Sequence, residues 1–252
     1  MNLAPSKKSQ EIFAILGVLS LVYTILTGGW LEWSIVLSIY FVLGVIDTVI
    51  IHRYLTHRSF EASAWIINPM VLLFTLFSST SAIIWVAVHR AHHRYSDEAK
   101  DPHSPIHVSW FRIIFRMIED KPPKFFITNA PDMIRSPYIS FLHKYHWAVS
   151  GLYVLLLLVI EPYAITYAYL TPGILLFVAG GLVNTVNHSF GYRSYETKDK
   201  SVNNIFTGYF LWGEGWHNNH HHKASSAKFG QKWWEFDFGW QLIRLISTKA
   251  ND

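Results

Sequence analysis

The sequence predicts an all-α integral membrane protein, with four transmembrane helices in two hairpins and a cytosolic helical cap. Three observations predict it. Only 15% of the 252 residues are charged while 51% are apolar, where an average soluble domain carries about a quarter charged residues. The apolar residues fall in long runs separated by tight turns. The 21 Lys and Arg residues all lie outside the two tightest of those turns, which by the positive-inside rule puts both termini and the central segment in the cytoplasm. We take residues 1–252 as a single domain, with spans near 12–27, 34–51, 141–160 and 163–186 and a cap made of 52–140 and 187–252.

Ile12 to Leu26 is uncharged, and Ser34 to Ile51 carries Asp47 as its single charge. Between them Gly28 and Gly29 break the helix, and Trp30 and Trp33 suit the headgroup zone. An alternative reading of the first run, a secretory signal after Lys7 and Lys8, lacks a small-residue cleavage site before Trp30. The second hairpin pairs Trp147–Ile160 with Tyr163–Val186 across Glu161-Pro162, its first arm long enough only if it begins near Phe141. Gly173, Gly180 and Gly181 allow close helix contact in the second arm. Trp65 to Val88 is also apolar, but a single crossing would put the histidines before and after it on opposite faces of the membrane. We therefore expect a re-entrant pair of helices, with breaks at Asn68-Pro69 and at Ser78 to Ser81.

Cysteine is absent, which excludes disulfide scaffolds, thiolate zinc sites, cysteine-ligated iron–sulfur clusters and cysteine nucleophiles. The net charge of +4 belongs to membrane-flanking loops, so we expect a lipid bilayer and no nucleic acid as partner.

Histidine occurs 14 times. One group is His52 and His57; the second is His89-Arg-Ala-His92-His93, and the third is His217-Asn-Asn-His220-His221. Spacings of three and four put each H-x-x-H-H triplet on one helix face, offering three nitrogens to one place. His52 and His57, five apart, diverge on a regular helix, so the second span is expected to fray or turn between them. His188 follows Asn184 by four residues at the end of the fourth span, and it makes nine histidines at one membrane face. One metal takes three to six ligands, so nine imidazoles imply two metals, and an apolar setting points to oxygen chemistry on a lipid. His103, His107, His143, His146 and His222 stand outside the pattern and read as satisfied polar residues, and Trp85 reads as a site wall. Asp47 reads equally as a functional group or as the partner of an arginine or a helix break. Glu214-Gly-Trp-His217 matches the E-x-x-H of soluble di-iron bundles, which need two such pairs, and one occurs here.

Together these residues resemble the membrane fatty acid desaturases, most closely the stearoyl-CoA (acyl-CoA) Δ9 type and its bacterial relatives. The resemblance runs over roughly residues 34 to 222: H-x-x-x-x-H at His52, W-V-A-x-H-R-x-H-H at Trp85, Asp97 and Asp101-Pro102-His103, N-x-x-x-H at Asn184, and G-E-G-x-H-N-x-H-H at Gly213. It implies a non-haem di-iron centre in the cap, ligated by His52, His57, His89, His92, His93, His188, His217, His220 and His221, with Asn184 holding a metal-bound water. Asp97 and Asp101 then orient imidazoles by accepting their other N–H, and Trp85 lies against the substrate. The implied activity is O2-dependent insertion of a cis double bond into a long-chain acyl group on CoA or a lipid. Two electrons come from a separate donor such as ferredoxin, rubredoxin or cytochrome b5 with its reductase, because neither a dinucleotide fingerprint nor a haem domain is present. The short chain favours a bacterial inner membrane over the endoplasmic reticulum. Asp47 departs from the family pattern.

The readings weighed against this are a di-iron alkane or sterol hydroxylase, a histidine-rich metal transporter and a structural scaffold. A transporter needs ligands at the bilayer midplane rather than at the ends of spans, and a scaffold leaves the histidine spacing unexplained.

Overall fold

The structure, a computed structural model, describes residues 4–116 and 119–251. α1 (Lys7–Thr27) starts at Ser6, whose hydroxyl accepts the Ser9 amide, and stops at the Gly28-Gly29 break. α2 (Trp30–Val45) does not end at the membrane surface but continues as a π-helix from Ile46 to Thr56. The 27 residues together reach roughly 35–40 Å, longer than a hydrocarbon layer of about 30 Å. The helix is therefore long enough for its last turns, with His52 and Arg53, to extend past the apolar layer.

The π-helix corrects the expectation of a frayed turn between His52 and His57. His57 N donates to His52 O at 3.2 Å, and Thr56 Oγ1 donates to Ile51 O at 2.8 Å. Bonds across five residues widen the helix and stack residues five apart on one face, so both histidines face the same way without a break.

β1 (Phe60–Ala62) leads into α3 (Ala64–Phe77) and α4 (Ala82–Tyr95), which meet at 94°. The break at Ser78 to Ser81 is where it was expected, with the Ser81 hydroxyl capping the Ile84 amide. The break at Asn68-Pro69 is absent. Pro69 sits inside α3, in its second turn, where its missing N–H forfeits a single bond to the exposed Trp65 and the helix runs on.

α5 (Trp110–Ile114) is followed by α6 (Pro123–Asn129), α7 (Pro131–Arg135) and α8 (Pro137–Lys144). The last three each begin on a proline, which lacks an N–H that the first turn would leave unpaired anyway. α9 (His146–Ile160) leaves α8 at 66°. The expected span 141–160 is therefore bent at Tyr145, and its straight 15 residues rise only about 22 Å. A π-helical turn, Thr166–Leu170, opens α10 (Thr171–Val186), and α11 (Ile205–Phe210), α12 (His217–His222) and α13 (Phe238–Ile246) complete the helices. β2 (Ser247–Ala250) pairs antiparallel with β1, Glu61 opposite Lys249.

Among the described residues three helices are long and apolar enough to cross a membrane, or five if each bent pair is counted as one span. Ile15, Leu19, Leu26, Leu152, Leu156 and Val159 stand exposed on their outer faces, as lipid-facing residues do. α1 and α10 meet through Ser20 and Thr24, whose hydroxyls lie 3.0 and 3.1 Å from Thr171 Oγ1, and through Gly173, where an added Cβ would lie 2.6 Å from the Phe13 ring. Gly181 admits α5, with Ile114 Cα 2.3 Å from where its Cβ would be. These are the close contacts the glycines of the second hairpin predicted.

Candidate metal centre

The nine clustered histidines come together, in two groups rather than by triplet. His52, His57, His89, His93 and His220 form one, and His92, His188, His217 and His221 the other, with the ligand nitrogens of each group within 4.8 Å of one another. Each H-x-x-H-H motif is therefore shared, correcting the expectation that a triplet serves one place. At 100° per residue, His89 and His93 differ by about 40° while His92 lies about 100° from His93. A helix laid between two centres thus turns its i and i+4 residues to one and its i+3 residue to the other. α12 divides by the same rule with the groups exchanged: His220 faces the first group, and His217 and His221 face the second.

The imidazoles point ring nitrogens at each other. Nε2 to Nε2 separations are 3.1 Å for His52–His220, 3.0 Å for His89–His93, 3.0 Å for His93–His220 and 3.2 Å for His188–His217. Four Nδ1 atoms meet carboxylates: His52 with Glu214 at 2.7 Å, His92 with Asp101 at 2.8 Å, His188 with Asp97 at 2.9 Å and His221 with Asp199 at 2.5 Å. A neutral imidazole that donates from Nδ1 keeps a lone pair on Nε2. The Nε2 atoms of His57, His92 and His221 are buried and have no hydrogen-bond partner. Lone pairs converging in a buried space repel unless a cation sits among them, so this donor set fits two metal ions, and imidazole suits zinc, copper, iron and nickel.

Electrostatics supports the same form. Burial pulls the pKa values of His217, His220 and His221 down, keeping them neutral, as metal ligation requires. Burial alone would raise Asp97, but hydrogen bonds from His188, the Lys200 amide and the Ser104 hydroxyl hold it at about 2. Burial pushes Asp101 up to about 6 against the pull of the His103 and Asp97 amides.

Asp97 thus meets His188, and Asp101 meets His92. Glu214 and Asp199 were not expected in this role. Glu214 also accepts from the Thr48 hydroxyl, and the Trp212-Gly213 turn that presents it runs through positive φ at both residues. A Cβ at Gly213 would lie 2.4 Å from Asp237 Oδ1, and one at Gly215 would lie 2.0 Å from Gly208 N. Those close approaches are the physical reason for glycine on both sides of Glu214. Asp199 carries no local signal; it sits in a charged loop 22 residues before its histidine.

Of the histidines left outside the pattern, His103 is buried with its ring stacked 4.3 Å from His92. His107 Nε2 lies 3.2 Å from Asp97 O, and His143 Nδ1 lies 2.6 Å from the Ser81 hydroxyl. His146 is fully buried, and the exposed His222 stacks on Tyr195.

A cavity of about 630 Å³ runs beside both groups. Phe126, Ile127 and His143 line it on α6 and α8, Trp85, His52, His89 and His217 beside the imidazole groups, and Gly44, Leu176, Ala179 and Trp212 between α2 and α10. The Trp85 ring is 4.8 Å from His89 and 5.6 Å from His52, the wall position expected for it. Asn184, also on the wall, bonds Gly180 O through Nδ2 and leaves a buried Oδ1 without a partner. Asp47 and Arg116 both line the cavity, and Asp47 Oδ1 is likewise buried and unpartnered.

Comparison with known proteins agrees with this chemistry. The fatty acid desaturase family model matches residues 28–250. An sn-1 stearoyl-lipid 9-desaturase of Anabaena variabilis is 34% identical over 86% of this chain and 81% of its own length. An acyl-CoA 5-desaturase of Anemone leveillei is 34% identical over 87% and 70%. An sn-2 palmitoyl-lipid 9-desaturase of a Nostoc strain is 30% identical over 87% and 79%.

Proposed function

The chain belongs to the fatty acid desaturase family and is an oxidoreductase, and from that premise we propose that it inserts a cis double bond at Δ9 of a saturated long-chain acyl group carried on CoA or a lipid. The observation that carries the reading is the pair of imidazole groups with converging ring nitrogens beside a cavity that reaches between apolar helices. In this reading His52, His57, His89, His93 and His220 hold one iron, and His92, His188, His217 and His221 hold the other, with Asn184 Oδ1 bonded to a water at the second. Iron supplies the one-electron chemistry with dioxygen that an unactivated C–H bond demands.

The rest falls to this chain's own residues. Glu214, Asp101, Asp97 and Asp199 fix four rings by accepting their Nδ1–H, so that Nε2 faces inward. The cavity walls hold the acyl chain at one register, and Trp85 presses it toward His89 and His52. Trp212, packed on Gly44, closes the deep end to water. The overall balance takes one O2, two electrons and two protons per double bond and releases two waters. The electrons arrive from a separate ferredoxin, rubredoxin or cytochrome b5 system. Δ9 placement follows the two relatives named as 9-desaturases. We place the site on the cytosolic face of a bacterial inner membrane.

Lipid analysis of a desaturase-deficient host tests this. New cis-Δ9 monounsaturated chains are expected with the wild type and none with His92→Ala. Hydroxylated chains would move the reaction to hydroxylation, and an unchanged lipid profile in iron-loaded, electron-supplied membranes would overturn the proposal.

A further inference from the structure

The second imidazole group is one residue from solvent. His222 directly follows His221 on α12, is exposed, and lies flat on Tyr195 with ring centroids 4.0 Å apart and planes 4° from parallel. Tyr195 belongs to a loop fastened to that same helix: Asn218 Oδ1 accepts the Ser194 and Tyr195 amides at 2.8 and 2.9 Å, and Asn218 Nδ2 donates to Tyr195 O at 3.0 Å. The loop also supplies Asp199 to His221. The first group is more enclosed, with Phe229 4.2 Å from the His220 ring and Trp85 over His89 and His52.

Arg193, Lys198 and Lys200 stand exposed on the loop around the stacked rings, with Glu196 as the single exposed acid among them. A cationic rim around the exposed His222 ring, backed by the half-buried Tyr195, attracts an anionic protein surface and orients it before contact. Lys200 holds its position through its backbone, whose N–H donates to Asp97 Oδ2 at 2.8 Å, so its side chain is spare.

We propose that the Tyr195–His222 plate and its basic rim are the docking face for a small acidic one-electron carrier protein, and that electrons enter the centre there. The proposal rests on the desaturase reading and names the partner of that site. Each docking oxidises one reduced carrier by one electron. Two dockings serve one double bond: O2 receives these two electrons and the two from the broken C–H bonds, and with two solvent protons leaves as two waters.

The test uses the full chain in lipid nanodiscs and an acidic plant-type [2Fe–2S] ferredoxin as probe, with dithionite as a donor that needs no docking. The wild type is expected to bind the ferredoxin with an affinity that falls about tenfold on raising salt to about 0.3 M. The Lys198→Glu variant should bind about tenfold more weakly and show a weaker salt dependence, with dithionite-driven turnover retained. Tyr195→Leu should bind normally yet slow ferredoxin-driven turnover alone. Wild-type affinity in the charge-reversed variant, or no ferredoxin binding by the wild type, would overturn the docking face, and unchanged ferredoxin-driven turnover in Tyr195→Leu would overturn the entry route. Failure of the desaturase reading looks different: no unsaturated product with either donor, while the binding arms still decide the surface.

Discussion

At His221 the imidazole is held from one side, with Asp199 Oδ2 2.5 Å from Nδ1 and a buried Nε2 left without a partner. The Ser201 and Thr197 hydroxyls converge on the same carboxylate at 2.6 and 2.8 Å, and together with His221 they hold its pKa well below the ordinary carboxylate range although burial opposes them. Removing such a carboxylate frees the ring to rotate and weakens its basicity. Asp199→Ala is therefore expected to lower iron affinity or turnover by roughly 10–100-fold, read as iron retained against a chelator and as product formed, with the helical content unchanged. The two groups are also separable at this scale. His89→Ala and His92→Ala each strip one group of a ligand and leave the other intact, so each variant is expected to retain about one iron per chain against the two proposed for the wild type. Equal loss of both irons from either variant would mean that the centre forms as a unit.

At the scale of elements, the histidine spacing announced convergence but not its partition. Which of His89, His92 and His93 serves which group depends on where the axis of α4 lies between two centres, and that is a tertiary fact. The π-helix was likewise hidden: five-residue spacing looked like a break because an α-helix was the assumed ladder, whereas the sequence Ile51 to His57 supports bonds across five residues. Asp97 and Asp101 came only with the family resemblance, whereas Asp199 had no signal at all, because only folding brings it to His221. Pro69 misled through its type, since its position in the second turn of α3 makes the lost bond harmless.

The small residues of α10 make a sharp element-scale test. Gly181→Leu drives a side chain into the α5 backbone at Ile114 and should destabilise by about 1–3 kcal/mol, seen as a lower unfolding temperature in nanodiscs. A second test concerns the joint between α7 and the elements under it, where Asp132 meets Arg90 at 2.6 Å and Arg58. Burial pushes this carboxyl up, but hydrogen bonds from the two guanidinium groups outweigh it and hold the pKa at about 2. Its stabilisation is complete above the ordinary aspartate value of about 3.9 and disappears as the pH falls through about 2. The stability gap between wild type and Asp132→Asn should therefore be constant above about pH 5 and close over the interval from about 4 to 2.

For the whole molecule, the decisive question is on which side of the bilayer each segment lies, because the metal centre needs residues 52–57, 89–93, 188 and 217–221 together. α3 and α4 meet at 94°, the angle a chain returning to the side it came from would make, and His52 and His89, 4.5 Å apart between ring centroids, need to lie on one side. The natural absence of cysteine makes the test clean, since any introduced thiol is the single one in the chain. Glu61 precedes α3 and Glu98 follows α4, both exposed, while Trp30 and Tyr163 are exposed in the two tight turns. Single cysteines at Glu61 and Glu98 are expected to react with an impermeant maleimide from the same, cytosolic face, and those at Trp30 and Tyr163 from the opposite face. If Glu61→Cys and Glu98→Cys react from opposite faces, α3 and α4 cross the membrane as one broken span, and the nine histidines cannot share a centre in the bilayer-embedded protein. Labelling of both from one face would instead account for why so apolar a segment carries a sharp polar elbow of Ser78, Ser79, Thr80 and Ser81: buried there, it turns the chain back beneath the centre rather than letting it through.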